Sequence, residues 1–230
     1  MIDFGVFLLE HQRAVTLLTL VIMGFTSFYI IYAAAMLPWG GPSTPESTFE
    51  WSVSEGDCFV FAATGIDSND SVDVAYRMPQ ELIPVLNTNI SARIISLPDV
   101  SIDSEEEFLA IAESIKVSCT FENDTALPSA TEVTLNGLVS RFILPTGKWD
   151  FIDSLFPDAH NEASSNFIFD TYFSKLYDSY CHFEHCSMYV DSAQFSRADI
   201  YLSTGIPFVI TMGAYHAGID DGYHFELIMV

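Results

Sequence analysis

Positive charge is the scarcest property of this chain. Lys and Arg together number eight against thirty-one Asp and Glu, a formal net charge of −23 over 230 residues. So negative a surface repels phosphate backbones and anionic headgroups and lacks the cations that displace counterions from DNA, so nucleic acid is excluded as a partner. The plain reading of the acidity is a solvated coat; attraction of basic partners or divalent cations is the other. Catalytic signatures are missing too. There is no G-x-S-x-G, no Walker loop and no G-x-G-x-x-G, which removes the common nucleophile and nucleotide motifs, and no cofactor is implied. Cysteine is sparse, with four in the whole chain.

What the chain has in quantity is apolar and aromatic residues. Half of it is hydrophobic, with nineteen Phe and ten Tyr. That is enough to bury a substantial core, so wholesale disorder is excluded. The length suits one ordinary domain plus an attachment device.

The attachment device is read from "AVTLLTLVIMGFTSFYIIYAAAM", residues 14–36, which carries no charge. As a helix it extends about 34 Å, against a hydrocarbon core of about 30 Å. Phe28, Tyr29 and Tyr32 gather toward one end with Trp39 beyond, as interfacial aromatics do. A cleaved signal peptide is the competing reading, since Ala33 to Ala35 offers an A-x-A site, but the run exceeds the usual apolar region and Asp3 and Glu10 precede it. Arg13 is the sole Lys or Arg before the run and none follows until Arg77, so the positive-inside bias places the N-terminus in the cytoplasm. The expected organisation is a short cytoplasmic or interfacial segment (1–13), a transmembrane helix (14–36), a Pro/Gly/Ser/Thr linker (37–48) and an extracytoplasmic domain (49–230) at the plasma membrane.

Within that domain, alternating apolar residues and turn signals predict strands. "FEWSVSEGDCFVFAATG" reads as a hairpin-like opening, and "SVDVAYRM", "ISARIISL", "SIKVSCTFEN" and "LNGLVSRFIL" as further strands. "DSEEEFLAIAES" reads as a helix, with Ser104 and Glu107 forming a capping box. "GKWDFIDSLF" predicts a short helix, and the apolar spacing of Phe169, Tyr172, Phe173, Leu176, Tyr177 and Tyr180 another. "SMYVDSAQF", "IPFVITMGAY" and "YHFELIMV" form a closing meander whose last strand, ending at Val230, is expected to be open for pairing with a partner's sheet. The expected fold class is α+β: an N-terminal transmembrane helix followed by a curved, mainly antiparallel β-sheet domain with a few helices.

The palindrome-like "CHFEHC", residues 181–186, poses the main chemical question. All four cysteines fall in the expected outer domain, and an even number in an oxidising compartment reads as two disulfides. The preferred pairing is Cys181–Cys186, a short local loop, with Cys58–Cys119. Metal is the alternative, because Cys181, His182, His185 and Cys186 are all zinc-type donors. Four ligands from six consecutive residues strain a tetrahedron, however, and the segment misses both the H-E-x-x-H and H-x-x-E-H patterns. Asp67 to Asp73 places oxygens at alternating positions, as a calcium loop does, but lacks the Gly and Glu of an EF-hand. His216 and His224 flank the last turn as a candidate pH-sensitive or metal pair. Asn69, Asn89 and Asn123 begin N-x-S/T sequons, expected glycosylation sites in an exported domain.

Three short motifs carry a resemblance: "WSVSEGD" (51–57), "LPTGKWD" (144–150) and "LSTGIPF" (202–208). Together they resemble landmarks of archaeal membrane-anchored extracellular domains of uncharacterised function. Some of those are similar in outline to lipoprotein-carrier half-barrels, in which a bent sheet cradles an apolar ligand. The resemblance implies no functional residue. The leading functional expectation is a non-enzymatic, single-pass surface protein acting in protein interaction or as a structural subunit, with a protein partner or a second copy bound. An apolar-ligand or lipid-binding module and a metal-dependent enzyme built on Cys181–Cys186 are the alternatives.

Overall fold

The computed structural model describes residues 48–67, 77–102, 104–156, 169–189, 192–216 and 222–230. Residues 47–230 form one compact unit. Its centre is an eight-stranded sheet: β1 (Cys58–Asp67), β2 (Thr88–Ser96), β3 (Lys116–Phe121), β4 (Phe169–Leu176), β5 (Tyr180–Tyr189), β6 (Ser192–Tyr201), β7 (Pro207–His216) and β8 (Gly222–Met229). The strand order is β3-β2-β1-β8-β7-β6-β5-β4, and every pairing is antiparallel.

Among the described residues three α-helices and one short 3-10 turn (Ile83–Val85) accompany the sheet: α1 (Glu105–Ser114), α2 (Ser129–Ser140) and α3 (Trp149–Leu155). The expected class is corrected accordingly. The described chain is a predominantly β fold with three short helices, and no helix among the described residues is long and apolar enough to cross a membrane. The run 14–36, on which a spanning helix was expected, lies outside the described residues, as do segment 1–13 and most of linker 37–48.

Side chains alternate between the two faces of a strand, and the register carries that alternation across the whole sheet. One face, here the inner, presents Phe61, Ile90, Ile94, Cys119, Phe183, Ile200, Ile210, Phe225 and Leu227, all fully or nearly fully buried. The helix-borne rings pack there. Phe183 of β5 meets Phe108 of α1, Phe142 just beyond α2 and Phe156 just beyond α3, with centroids 5.6, 6.4 and 5.2 Å away. Edge-to-face pairs of this kind add about 0.5–1.5 kcal/mol each to the burial itself.

α1 starts as its capping box predicts. The Ser104 hydroxyl accepts from the Glu107 amide at 3.3 Å, and three glutamates in the first turn complement the helix dipole. α2 overturns the strand expected over 135–144, because its buried residues Thr131, Leu135, Leu138 and Val139 follow the helical repeat. β4 overturns the helix expected from Phe169 to Tyr180. Of the expected opening hairpin, β1 is a strand, whereas Glu50 contributes only a single bridge to Thr146.

The three short motifs meet in space. Glu50, next to the first motif, exchanges backbone hydrogen bonds with Thr146 of the second, and Ser52 Oγ lies 2.7 Å from Thr146 Oγ1. Leu144 N donates to the Gly205 carbonyl, and Trp149 Nε1 donates to the Leu202 carbonyl at 2.9 Å. Backbone and side-chain hydrogen bonds together close these segments on one another, which makes the motifs a structural junction.

The last strand is not open. β8 lies between β1 and β7, and Val230 N donates to the Val60 carbonyl, so pairing of that strand with a partner is corrected. The true edges are β3 and β4, and both are blunted. Cys119 N of β3 donates to Asn136 Oδ1 of α2 at 2.8 Å, while Ser174 N of β4 donates to the Phe156 carbonyl at 2.9 Å.

Candidate functional site

The hexapeptide 181–186 lies within β5, so its side chains point alternately to opposite faces. Cys181 and Phe183 belong to the inner core, and His185 stacks on Tyr172 on the same side at 4.4 Å. His182, Glu184 and Cys186 take the other parity and face outward. All four cysteines are free thiols. The Cys181–Cys186 bond is corrected because five residues of strand separate their Cα atoms by about 16 Å, where a disulfide needs about 4.4–6.8 Å.

The Cys58–Cys119 bond is corrected as well. Cys58 pairs across β2 with Arg93, and Arg93 with Ser118, so Cys119 takes the opposite parity, two strands away. Cys58 is exposed, with its sulfur 2.9 Å from Ser91 Oγ, whereas Cys119 is fully buried. Burial pushes the Cys119 thiol up to about 12, with Glu132 adding to the shift; burial and then Asp153 do the same for Cys181. Neither is a ready nucleophile or metal ligand.

The candidate metal ligands are likewise separated. His182 and His185 sit on opposite faces, and no group of three His, Cys, Asp or Glu side chains among the described residues converges on a common point. Asp67 ends β1, whereas Asp73 lies outside the described residues, as does Asn69. His216 pairs with Ser192 and His224 with Gly213, so the two are not cross-strand partners. Asn89 and Asn123 come together at the β2–β3 corner. Both line a shallow cleft of about 520 Å³ that includes Phe121 and Glu122, and Asn89 Nδ2 donates to Glu122 at 2.9 Å.

The outer face gathers an ionic cluster instead. His182 Nδ1 is 2.7 Å from Asp199 Oδ1, and its Nε2 is 3.4 Å from Glu184 Oε2. Those two hydrogen bonds hold His182 up at about 9, against a smaller opposing effect of burial, so the ring is an imidazolium at neutral pH. Register aligns Glu184, Arg197, Thr211 and Glu226 in one row across β5, β6, β7 and β8. Thr211 and Val209 are short, and a groove of about 280 Å³ opens over them, lined also by His182, Arg197, Asp199 and Glu226.

Beyond Asp199 the same face becomes aromatic. Tyr177 stacks on Tyr180 at 4.5 Å, Tyr180 meets Phe208 edge-on at 5.7 Å, and Phe208 stacks on Tyr201 at 4.4 Å. A register shift between Asp199 and Ile200 accompanies this part of the β6–β7 pairing. Tyr177 and Tyr201 are 40% and 42% exposed, too open for core residues. Neither Arg197, Asp199 and Glu226 nor this aromatic chain was singled out from sequence. The available signal was strand parity, which assigns Tyr180, His182 and Glu184 to one face once "CHFEHC" is read as a strand.

No family model matches the chain, and no curated protein or solved structure is significantly similar to it.

Proposed function

We propose that the unit spanning residues 47–230 is a non-enzymatic protein-interaction module, and that the outer face of β5–β7 is its docking surface. The observation that carries the reading is the connected chain Tyr177–Tyr180–Phe208–Tyr201 on the face opposite the helix-packed core. Clustered, partly exposed tyrosines supply large contact area at small entropic cost and are enriched where partners bind. With both sheet edges blunted, association falls to a face. The apolar-ligand reading finds less support, because Phe183 on the inner face is already covered by Phe108, Phe142 and Phe156.

A photo-crosslinking amino acid at Tyr201, compared with one at Val133 on the exposed side of α2, tests the reading in the native host. A discrete adduct from position 201 alone is expected. Equal adducts from both positions, or none from 201, would overturn it.

A further inference from the structure

Glu184 and Arg197 are cross-strand partners in register, an arrangement that ordinarily yields an ion pair. Here it does not. His182 holds Glu184 at 3.4 Å and Asp199 at 2.7 Å, drawing toward itself both carboxylates nearest to Arg197 in the β5–β6 pairing. The Arg197 guanidinium lies 5.2 Å from the Phe195 ring centroid, and no ion pair joins it to a carboxylate among the described residues. In a chain of charge −23 with eight Lys and Arg, a guanidinium kept from its in-register carboxylate is an unspent anion receptor.

The other wall of the groove carries the opposite sign. Glu226 stands two strands from Arg197, about 9–10 Å across the sheet, with Thr211 between them. Its ion-pair contact is His224 at 4.0 Å, with both side chains partly exposed. The groove of about 280 Å³ between these walls suits a molecule of a few heavy atoms.

We infer that the groove over Thr211 is a binding site for a small zwitterion of the α-amino-acid class, its carboxylate on Arg197 and its ammonium on Glu226. Thr211 supplies a hydroxyl at the groove floor. His182 is a positioning residue: by retaining Glu184 and Asp199 it keeps Arg197 open to the ligand. The site lies on the same outer face, beside the aromatic chain, and its ligand assignment does not depend on the docking reading.

Titration of the isotope-labelled full chain with glycine, acetate and ethylammonium, followed by amide and Arg Nε–Hε NMR signals, tests the site. Saturable shifts at Arg197, Thr211 and Glu226 with glycine are expected, at least about tenfold tighter than with either singly charged probe, the worth of one charge-assisted contact. Arg197→Gln and Glu226→Gln should each weaken glycine about tenfold without disturbing amide signals elsewhere. His182→Gln should also weaken it, while new coupling appears between the Arg197 and Glu184 side chains. Absence of saturable glycine shifts overturns the site. Equal binding of acetate and glycine, or glycine affinity unchanged in Arg197→Gln, overturns the zwitterion assignment.

Discussion

His182 Nδ1 and Asp199 Oδ1 lie 2.7 Å apart on adjacent strands. Their hydrogen bond is the main reason the imidazole keeps its proton up to about pH 9 rather than its ordinary 6.5. Because the folded value is raised, the pair's stabilisation is fully present below about pH 6.5 and is lost as pH climbs through about 9. Linkage sets an upper limit of about 3 kcal/mol, reduced to about 1–2 kcal/mol by solvent screening of a side chain that is 28% exposed. Urea unfolding at pH 6 and pH 10 should show His182→Gln destabilised at the lower pH and near parity at the higher. Parallel stability curves for the two proteins would rule out this pair as a source of pH dependence.

Phe183 is the second point of sensitivity, because four rings converge on it: Phe108, Phe142, Phe156 and Tyr172. Phe183→Ala should lose about 3–5 kcal/mol, since the helices on that side cannot all collapse into one cavity. Phe183→Leu should lose markedly less. Denaturant midpoints check both, and an alanine variant within 1 kcal/mol of wild type (roughly the size of a surface change) would contradict the packing.

The edge of the sheet gives a third prediction. Asn136 Oδ1 accepts from the Cys119 amide, closing a donor on β3 that otherwise faces outward. Asn136→Ala should cost about 1–3 kcal/mol and raise the aggregation rate, whereas Asn136→Asp keeps an acceptor and should stay close to wild type. Light scattering during mild heating separates them. Indistinguishable aggregation of the two variants would mean the edge is protected by something else.

Gly205 joins two of the three short motifs through its carbonyl bond to Leu144 N, at φ +69°. A Cβ built there collides with the Leu144 carbonyl, which is backbone and cannot swing aside. Gly205→Ala should therefore destabilise by more than the roughly 1 kcal/mol that a left-handed conformation alone imposes. A thermal midpoint within a degree of wild type would refute the closeness of that approach.

These residues also show how far the sequence could be read. The Ser104–Glu107 box, strands β7 and β8 and the short helix α3 were legible because capping chemistry and period-two alternation are local, whereas the single strand expected over 187–195 straddles the junction of β5 and β6. β4 was not, since Phe169, Tyr172, Phe173 and Leu176 satisfy helical spacing while Tyr172, Ser174 and Leu176 equally satisfy strand parity, and a short aromatic run leaves the two unresolved. α2 was missed because a window opening at Leu135 omits Thr131, the residue that completes its helical stripe. The place of β8 between β1 and β7 was beyond local reading altogether. That pairing is long-range, and it turned an expected open strand into a central one. The ionic groove follows from the same register, which no spacing between Glu184, Arg197, Thr211 and Glu226 along the chain would suggest.

The cysteines give the sharpest contrast between local spacing and three-dimensional placement. Cys181 and Cys186 look like a staple because they are five residues apart, yet a strand turns that spacing into separation along the strand axis and onto two faces. Alkylation of the non-reduced, denatured protein should add four groups, read by intact mass. Under native conditions Cys58, the exposed thiol, should react first, and Cys119 and Cys181 should lag because both are buried and burial raises each to about 12. Loss of reactivity at Cys58 with Arg93→Ala would not be expected, as the partner of its sulfur is Ser91. A disulfide mapped to Cys181 and Cys186 would be incompatible with β5 as a continuous strand, because closing one onto the other requires that strand to fold back on itself.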